Sequence, residues 1–155
     1  MGQHATTVED AMRASGGRTG ADFAATLDML GYNDSDAVRG SGVSMQMLRW
    51  YKFESKTVGV RTIRRIWAWA DAETEAHARS VERVMRTGVD EYEALHGRAP
   101  EVVSLVWLRR GEETADGRPV GYHNAVMRDA AAILRDNGQR VQFVYSADAR
   151  SEDVR

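Results

Sequence analysis

The sequence predicts a mainly α fold with a small α+β C-terminal part: an N-terminal helix-turn-helix bundle followed by a β-α-β dimerisation unit. Three observations carry this reading. Apolar residues recur at helical spacing between Phe23 and Leu95. Gly40-Ser41-Gly42 interrupts two short helical segments. Runs rich in β-branched and aromatic residues occupy 102–108 and 141–145, on either side of an Ala-rich helix.

Residues 1–18 contain Gly16-Gly17 and few large apolar side chains, so they read as a flexible arm with a short helical turn at Val8 to Met12. Residues 19–97 read as a helix-turn-helix domain with a long helical extension. Thr19 can cap a first helix that carries Phe23, Leu27 and Leu30 on one stripe, and Gly31 stops it. Ser35 is the expected cap of a short second helix through Ala37, Val38 and Arg39, broken by Gly40-Ser41-Gly42. A third helix begins near Ser44 or Gln46 and runs to about Phe53.

Val60 then opens a helix with Ile63, Ile66, Trp67 and Ala70 facing inward. A long amphipathic stretch comes next, carrying His77, Val81, Val84, Met85, Tyr92 and Leu95. Gly88 favours a kink in it, and Gly97 with Pro100 ends it. Residues 98–147 form the β-α-β unit: a strand at 102–108, a helix from about His123 with Val126, Ala130, Ile133 and Leu134 on one face, and a strand at 141–145. Such strands are parallel. Two strands alone leave open edges and an apolar face, which a second copy of the chain completes into a four-stranded sheet. Residues 148–155 read as a disordered tail.

Composition narrows the function classes. Zero cysteines exclude disulfides and thiolate chemistry. No apolar run approaches the roughly 20 residues of a membrane helix, and residues 1–20 lack a signal-peptide core, so a cytoplasmic protein without membrane contact is expected. The chain carries a net charge of −2, yet between Arg39 and Arg65 seven basic residues face one acidic residue, Glu54. That local +6 leaves −8 elsewhere. A cationic segment inside an acidic protein fits a local DNA footprint, and a solvated helix face accounts for it equally well.

No sequence element points to an enzyme. His4, His77, His96 and His123 are scattered, and Glu73 with His77 reads as a solvated pair rather than a metal site. There is no P-loop, GxGxxG after a strand or GxSxG. Glu112, Glu113 and Asp116 fall in a loop with no activating neighbour. No catalytic residue, metal or cofactor is expected.

In the third helix, Leu48 or Trp50 would be buried, while Gln46, Arg49 and Lys52 would face outward, the division a helix needs to lie in the major groove. The run Trp50-Tyr51-Lys52-Phe53-Glu54-Ser55-Lys56 resembles the motif that closes the recognition helix in lambda-repressor-like proteins. It is most similar to the YdiL-like group and the type-two anti-CRISPR-associated repressors. The order of elements after it is also similar, including a Gly-aromatic step at Gly121-Tyr122 and an Ala-rich helix from Val126 to Leu134.

The resemblance implies a dimeric transcriptional repressor. It departs in two places: the turn glycine between Ser55 and Lys56 is missing, and the stretch from Gly40 to Trp50 is long. Anchoring on Gly42-Val43-Ser44 makes Ser44 the cap, whereas anchoring on Trp50 to Glu54 makes Gln46 the first outward residue, the register favoured here. In that register Gln46 and Arg49 contact bases or adjacent backbone, Lys52 and Lys56 bind phosphate, and Trp50 and Phe53 are core. Ser44 and Arg39 complete the candidate DNA-binding set, and Glu54 orients an arginine or caps a turn. The expected partners are double-stranded DNA and a second copy of the chain. Structured RNA or an acidic protein bound by the same basic helical face is the alternative.

Overall fold

In the computed structural model, which describes residues 6–146, the chain is mainly helical with a small two-stranded parallel sheet near its C-terminus. Its internal contacts divide it into two compact units, one up to Glu75 and one from Ala76 onward. That division falls inside one long helix, whereas the sequence reading places a boundary at 97/98. Among the described residues no helix is long and apolar enough to cross a membrane.

The first unit opens with α1 (Val8–Ala14), capped by Thr7, whose hydroxyl accepts from the Asp10 amide while Asp10 accepts from the Thr7 amide. A full helix therefore stands where the sequence suggested an arm with one turn. The segment after α1 is anchored by polar groups that composition alone does not reveal. The buried Ser15 hydroxyl donates to the Arg18 carbonyl at 2.6 Å, and the Arg18 guanidinium lies 3.8 Å over the Trp67 ring while pairing with Asp71. Residues 1–5 of the expected arm and the expected tail at 148–155 lie outside the described residues.

Helix α2 (Gly20–Leu30) has the expected Thr19 cap, with Asp22 completing a capping box, and buries Phe23, Leu27 and Leu30. Helix α3 (Asp34–Ser41) is capped by Asn33, two residues before the expected Ser35 cap, because the Asn33 side chain accepts from the Asp36 amide and Asp36 returns the bond. Of the expected breaker Gly40-Ser41-Gly42, the first two residues stay helical and Gly42 ends the helix. A Cβ at Gly40 would lie 2.2 Å from the Trp69 indole nitrogen, so the absent side chain makes room for that ring. The turn comes at Gly42, whose φ of 72° is left-handed.

After Gly42-Val43-Ser44 come α4 (Met45–Lys52) and α5 (Val60–Met85). The core of this unit is built on rings: Phe23 packs at 6.1 Å from Tyr51 and 5.7 Å, edge-on, from Trp67. The Trp67 indole donates to the Tyr51 hydroxyl at 2.6 Å, which satisfies both polar tips inside the core.

In the second unit α5 runs into a π-helical turn (Arg86–Asp90) around Gly88, where the kink was expected, and then α6 (Glu91–His96), stopped by Gly97. Strand β1 (Val103–Trp107), helix α7 (Val120–Asp136) and strand β2 (Val141–Tyr145) form the β-α-β unit. The strands are parallel and in register from Val103 opposite Val141 to Trp107 opposite Tyr145. Helix α7 begins three residues before the expected His123, since the Pro119 carbonyl accepts from Tyr122 and His123. It buries Tyr122, Ala125, Val126, Ala130 and Leu134.

Candidate nucleic-acid interface

The two eight-residue helices α3 and α4 are joined by only three residues, and α4 is also packed on α2. Ser44 is the N-cap of α4, its hydroxyl accepting from the Met47 amide at 3.2 Å. The helix therefore starts in the register anchored on Gly42-Val43-Ser44 rather than the favoured one anchored on Trp50 to Glu54, although Gln46 is exposed as that register has it. Capping explains the outcome, because a serine directly after the left-handed Gly42 and Val43 satisfies an amide that the later start would leave unpaired.

The 3.6-residue period then decides the faces. Leu48 and Tyr51 are buried, which sets Gln46, Arg49 and Phe53 on the opposite stripe at i, i+3 and i+7. Phe53, expected in the core, is 65% exposed. Trp50, also expected there, is only partly buried and carries the Lys56 ammonium 4.7 Å over its ring. Tyr51 takes the core position that sequence reasoning gave to its neighbours.

Helix α4 ends without a glycine. The Glu54 amide bonds to the Tyr51 carbonyl and the Ser55 amide to the Trp50 carbonyl, a Schellman ending of α4 with Glu54 at the left-handed position, φ 55°. Glu54 itself terminates the helix.

The expected cations divide into two groups. Arg49 Nε and Lys52 Nζ both bond to the Asp34 carboxylate, at 3.2 and 2.8 Å, so Lys52 is not the outward phosphate ligand expected of it. The side chains of Asp34 and Lys52 are 17% and 20% exposed, and that of Arg49 is 56% exposed. Burial pushes the Asp34 carboxyl up, and the hydrogen bonds from Lys52 and then Arg49 outweigh it, leaving its pKa below the ordinary carboxylate range. Asp34 also sits in the first turn of α3, where the helix dipole favours an anion.

Arg39 and Gln46 are exposed and joined to none of these groups. Arg65, a cation counted in the basic segment but given no role, lies beside the turn: a Cβ at Gly42 would be 3.5 Å from its Nη2. Arg39, Arg61, Arg64 and Arg65 are all exposed and make no ion pair among the described residues. Asp34 and Arg65 were missed because neither belongs to the helix that the motif marks. Only the packing of α3, and of α5, on that helix brings them to it.

Outside this region several titratable groups are tied into the fold. His77, expected to be solvated with Glu73, is buried, and its Nε2 lies 2.7 Å from Asp129 while its ring meets Tyr122 edge-on at 5.7 Å. Glu73 instead accepts from the Tyr32 hydroxyl. Glu112 accepts from the Arg109 amide and the Ser146 hydroxyl, and Asp116 pairs with Arg118. Comparisons with protein-family models, with curated proteins and with solved structures found no match for this chain.

Proposed function

We propose that the chain is a sequence-specific double-stranded-DNA-binding transcriptional regulator, a repressor that acts as a homodimer on an inverted-repeat operator. The observation that carries this reading is the outward stripe of α4. Two short helices meet through a three-residue glycine turn, and the second presents Gln46 and Arg49 to solvent from a segment whose Arg39, Lys56, Arg61, Arg64 and Arg65 make no ion pair among the described residues. Base edges are read by long donor-bearing side chains, and phosphates by cations that need no fixed geometry. Gln46 and Arg49 suit the first task. Arg39, Lys56, Arg61, Arg64 and Arg65 suit the second.

The resemblance of Trp50 to Lys56 to lambda-repressor-like recognition helices supports the same reading. Dimerisation is assigned to the β-α-β unit, whose sheet has two strands among the described residues and leaves Phe143 and Tyr145 exposed.

The test begins with selection of a binding site from a random duplex pool and a footprint of the selected sequence. An inverted repeat with half-sites about one helical turn apart, or a multiple of that spacing, is the expected result. Gln46→Ala and Arg49→Ala are each expected to weaken operator binding by about 1–3 kcal/mol and random-duplex binding far less. Lys56→Ala weakens both and lowers the salt slope by about one. Failure of the pool to enrich any duplex, or enrichment only of structured RNA, overturns the proposal.

A further inference from the structure

We infer that Asp34, on α3, is a specificity-determining positioning residue for α4: it aims Arg49 and withdraws Lys52 from phosphate binding. The inference rests on the proposed function. One carboxylate, largely buried, holds two of the three long polar side chains of α4. It takes Arg49 by Nε, the innermost donor, and leaves the terminal Nη1 and Nη2 without a protein partner among the described residues. A guanidinium fixed at Nε has a set plane, and its two terminal nitrogens form the fork that grips two acceptors on a guanine edge. Holding the fork before DNA arrives removes part of the ordering cost of binding.

Lys52 is treated in the opposite way. Its ammonium is spent on the same carboxylate at 2.8 Å in a largely buried position, so it adds little to the attraction that every duplex exerts. Both consequences act on discrimination. The fixed arginine strengthens binding where the acceptors match, and the compensated lysine weakens binding everywhere else. A carboxylate placed at this position only to favour the α3 dipole would alter stability and leave discrimination untouched.

The test titrates the full-length protein against the selected operator and a scrambled duplex at two salt concentrations. Asp34→Asn is expected to raise affinity for scrambled duplex, steepen the salt slope by about one unit, and reduce the operator preference at least about fivefold, the lower end of what a forked arginine contact provides. Asp34→Glu, which keeps the charge, retains the wild-type slope. Arg49→Lys keeps the charge but loses the fork, and is expected to lose operator preference with the slope unchanged.

Lys52→Gln provides a reading that does not require Asp34→Asn to fold: the slope stays at the wild-type value because that charge is already compensated. A slope lowered by about one, as for Lys56→Ala, makes Lys52 an independent phosphate contact and overturns the inference. So does an Asp34→Asn protein with both slope and preference unchanged. Wild-type protein that binds no duplex overturns the functional proposal itself, an outcome distinct from either of these.

Discussion

The two units build their cores from different side chains. The first closes on large side chains: Phe23, Leu27, Leu30, Leu48, Ile63 and Ile66 are fully buried, and three rings meet at its centre. The second buries Leu105, Tyr122, Val126 and Leu134 together with the small Ala125, Ala130 and Ala131 of α7, while Leu95, Ile133, Phe143 and Tyr145 stay exposed. Both units leave large apolar residues outside, Met47 and Phe53 in the first and Phe143 and Tyr145 in the second, but the second carries them on a sheet of two strands among the described residues, a sheet that gains from a partner. Under the proposed function, the contrast gives nucleic-acid contact to the first unit and self-association to the second.

The largest effect that would sharpen the contrast is at the ring cluster. Phe23→Ala is expected to destabilise the first unit by about 3–5 kcal/mol in chemical denaturation followed by tryptophan fluorescence, since Trp67 loses its edge-on neighbour. A loss under about 1 kcal/mol would mean that the ring cluster is not the centre of this core. Gly40→Ala comes next, at about 1–3 kcal/mol, because a methyl group there meets Trp69, itself packed 5.4 Å from Tyr32. The same denaturation experiment reads it, and an unchanged midpoint removes the account of why α3 tolerates a glycine inside.

Self-association is tested by dilution. Each tenfold dilution of a dimer costs about 1.4 kcal/mol of apparent stability. Amide exchange in β1 and β2 is expected to accelerate on dilution while the amides of Phe23 and Leu48 keep their rates. Equal behaviour of the two sets would erase the distinction between the units.

Glu54→Gly has a smaller effect of the opposite sign. Glycine at the left-handed end of α4 is expected to raise stability by about 0.5–1 kcal/mol in thermal melts. A decrease would show that the Glu54 side chain supports the turn.

The smallest effect is that of pH on Asp34. Its folded pKa is lowered, so its ion pairs contribute fully above the unfolded value of about 3.9 and are lost as pH falls through the lower folded value. Wild type and Asp34→Asn are therefore expected to differ by a constant amount between about pH 5 and 7 and to converge only below about pH 4. Convergence already at about pH 6 would contradict this assignment of the shift.

What the sequence determined by itself is what local chemistry dictates. Thr19 and Gly31 bound α2 as read, because a cap and a left-handed stop act within a few residues of the chain. The strand at 141–145 matches residue for residue, and that at 102–108 was one residue too long at each end, since β-branched residues flanked by polar turns admit little else. Gln46 and Arg49 emerged as outward residues from the helical period of α4, which holds whichever residue caps it.

Only the tertiary structure decided which aromatic of Trp50, Tyr51 and Phe53 enters the core. All three are apolar enough, and the choice went to the one whose hydroxyl meets the Trp67 indole across 16 residues of sequence. Gly40 reads as a breaker until Trp69 is seen against it, and Asp34 as an ordinary helix-start acid until Arg49 and Lys52 close on it. The physical reason is common to these cases. A cap is a bond between near neighbours, whereas burial and ion pairing depend on which side chains packing brings together, a matter local spacing does not encode.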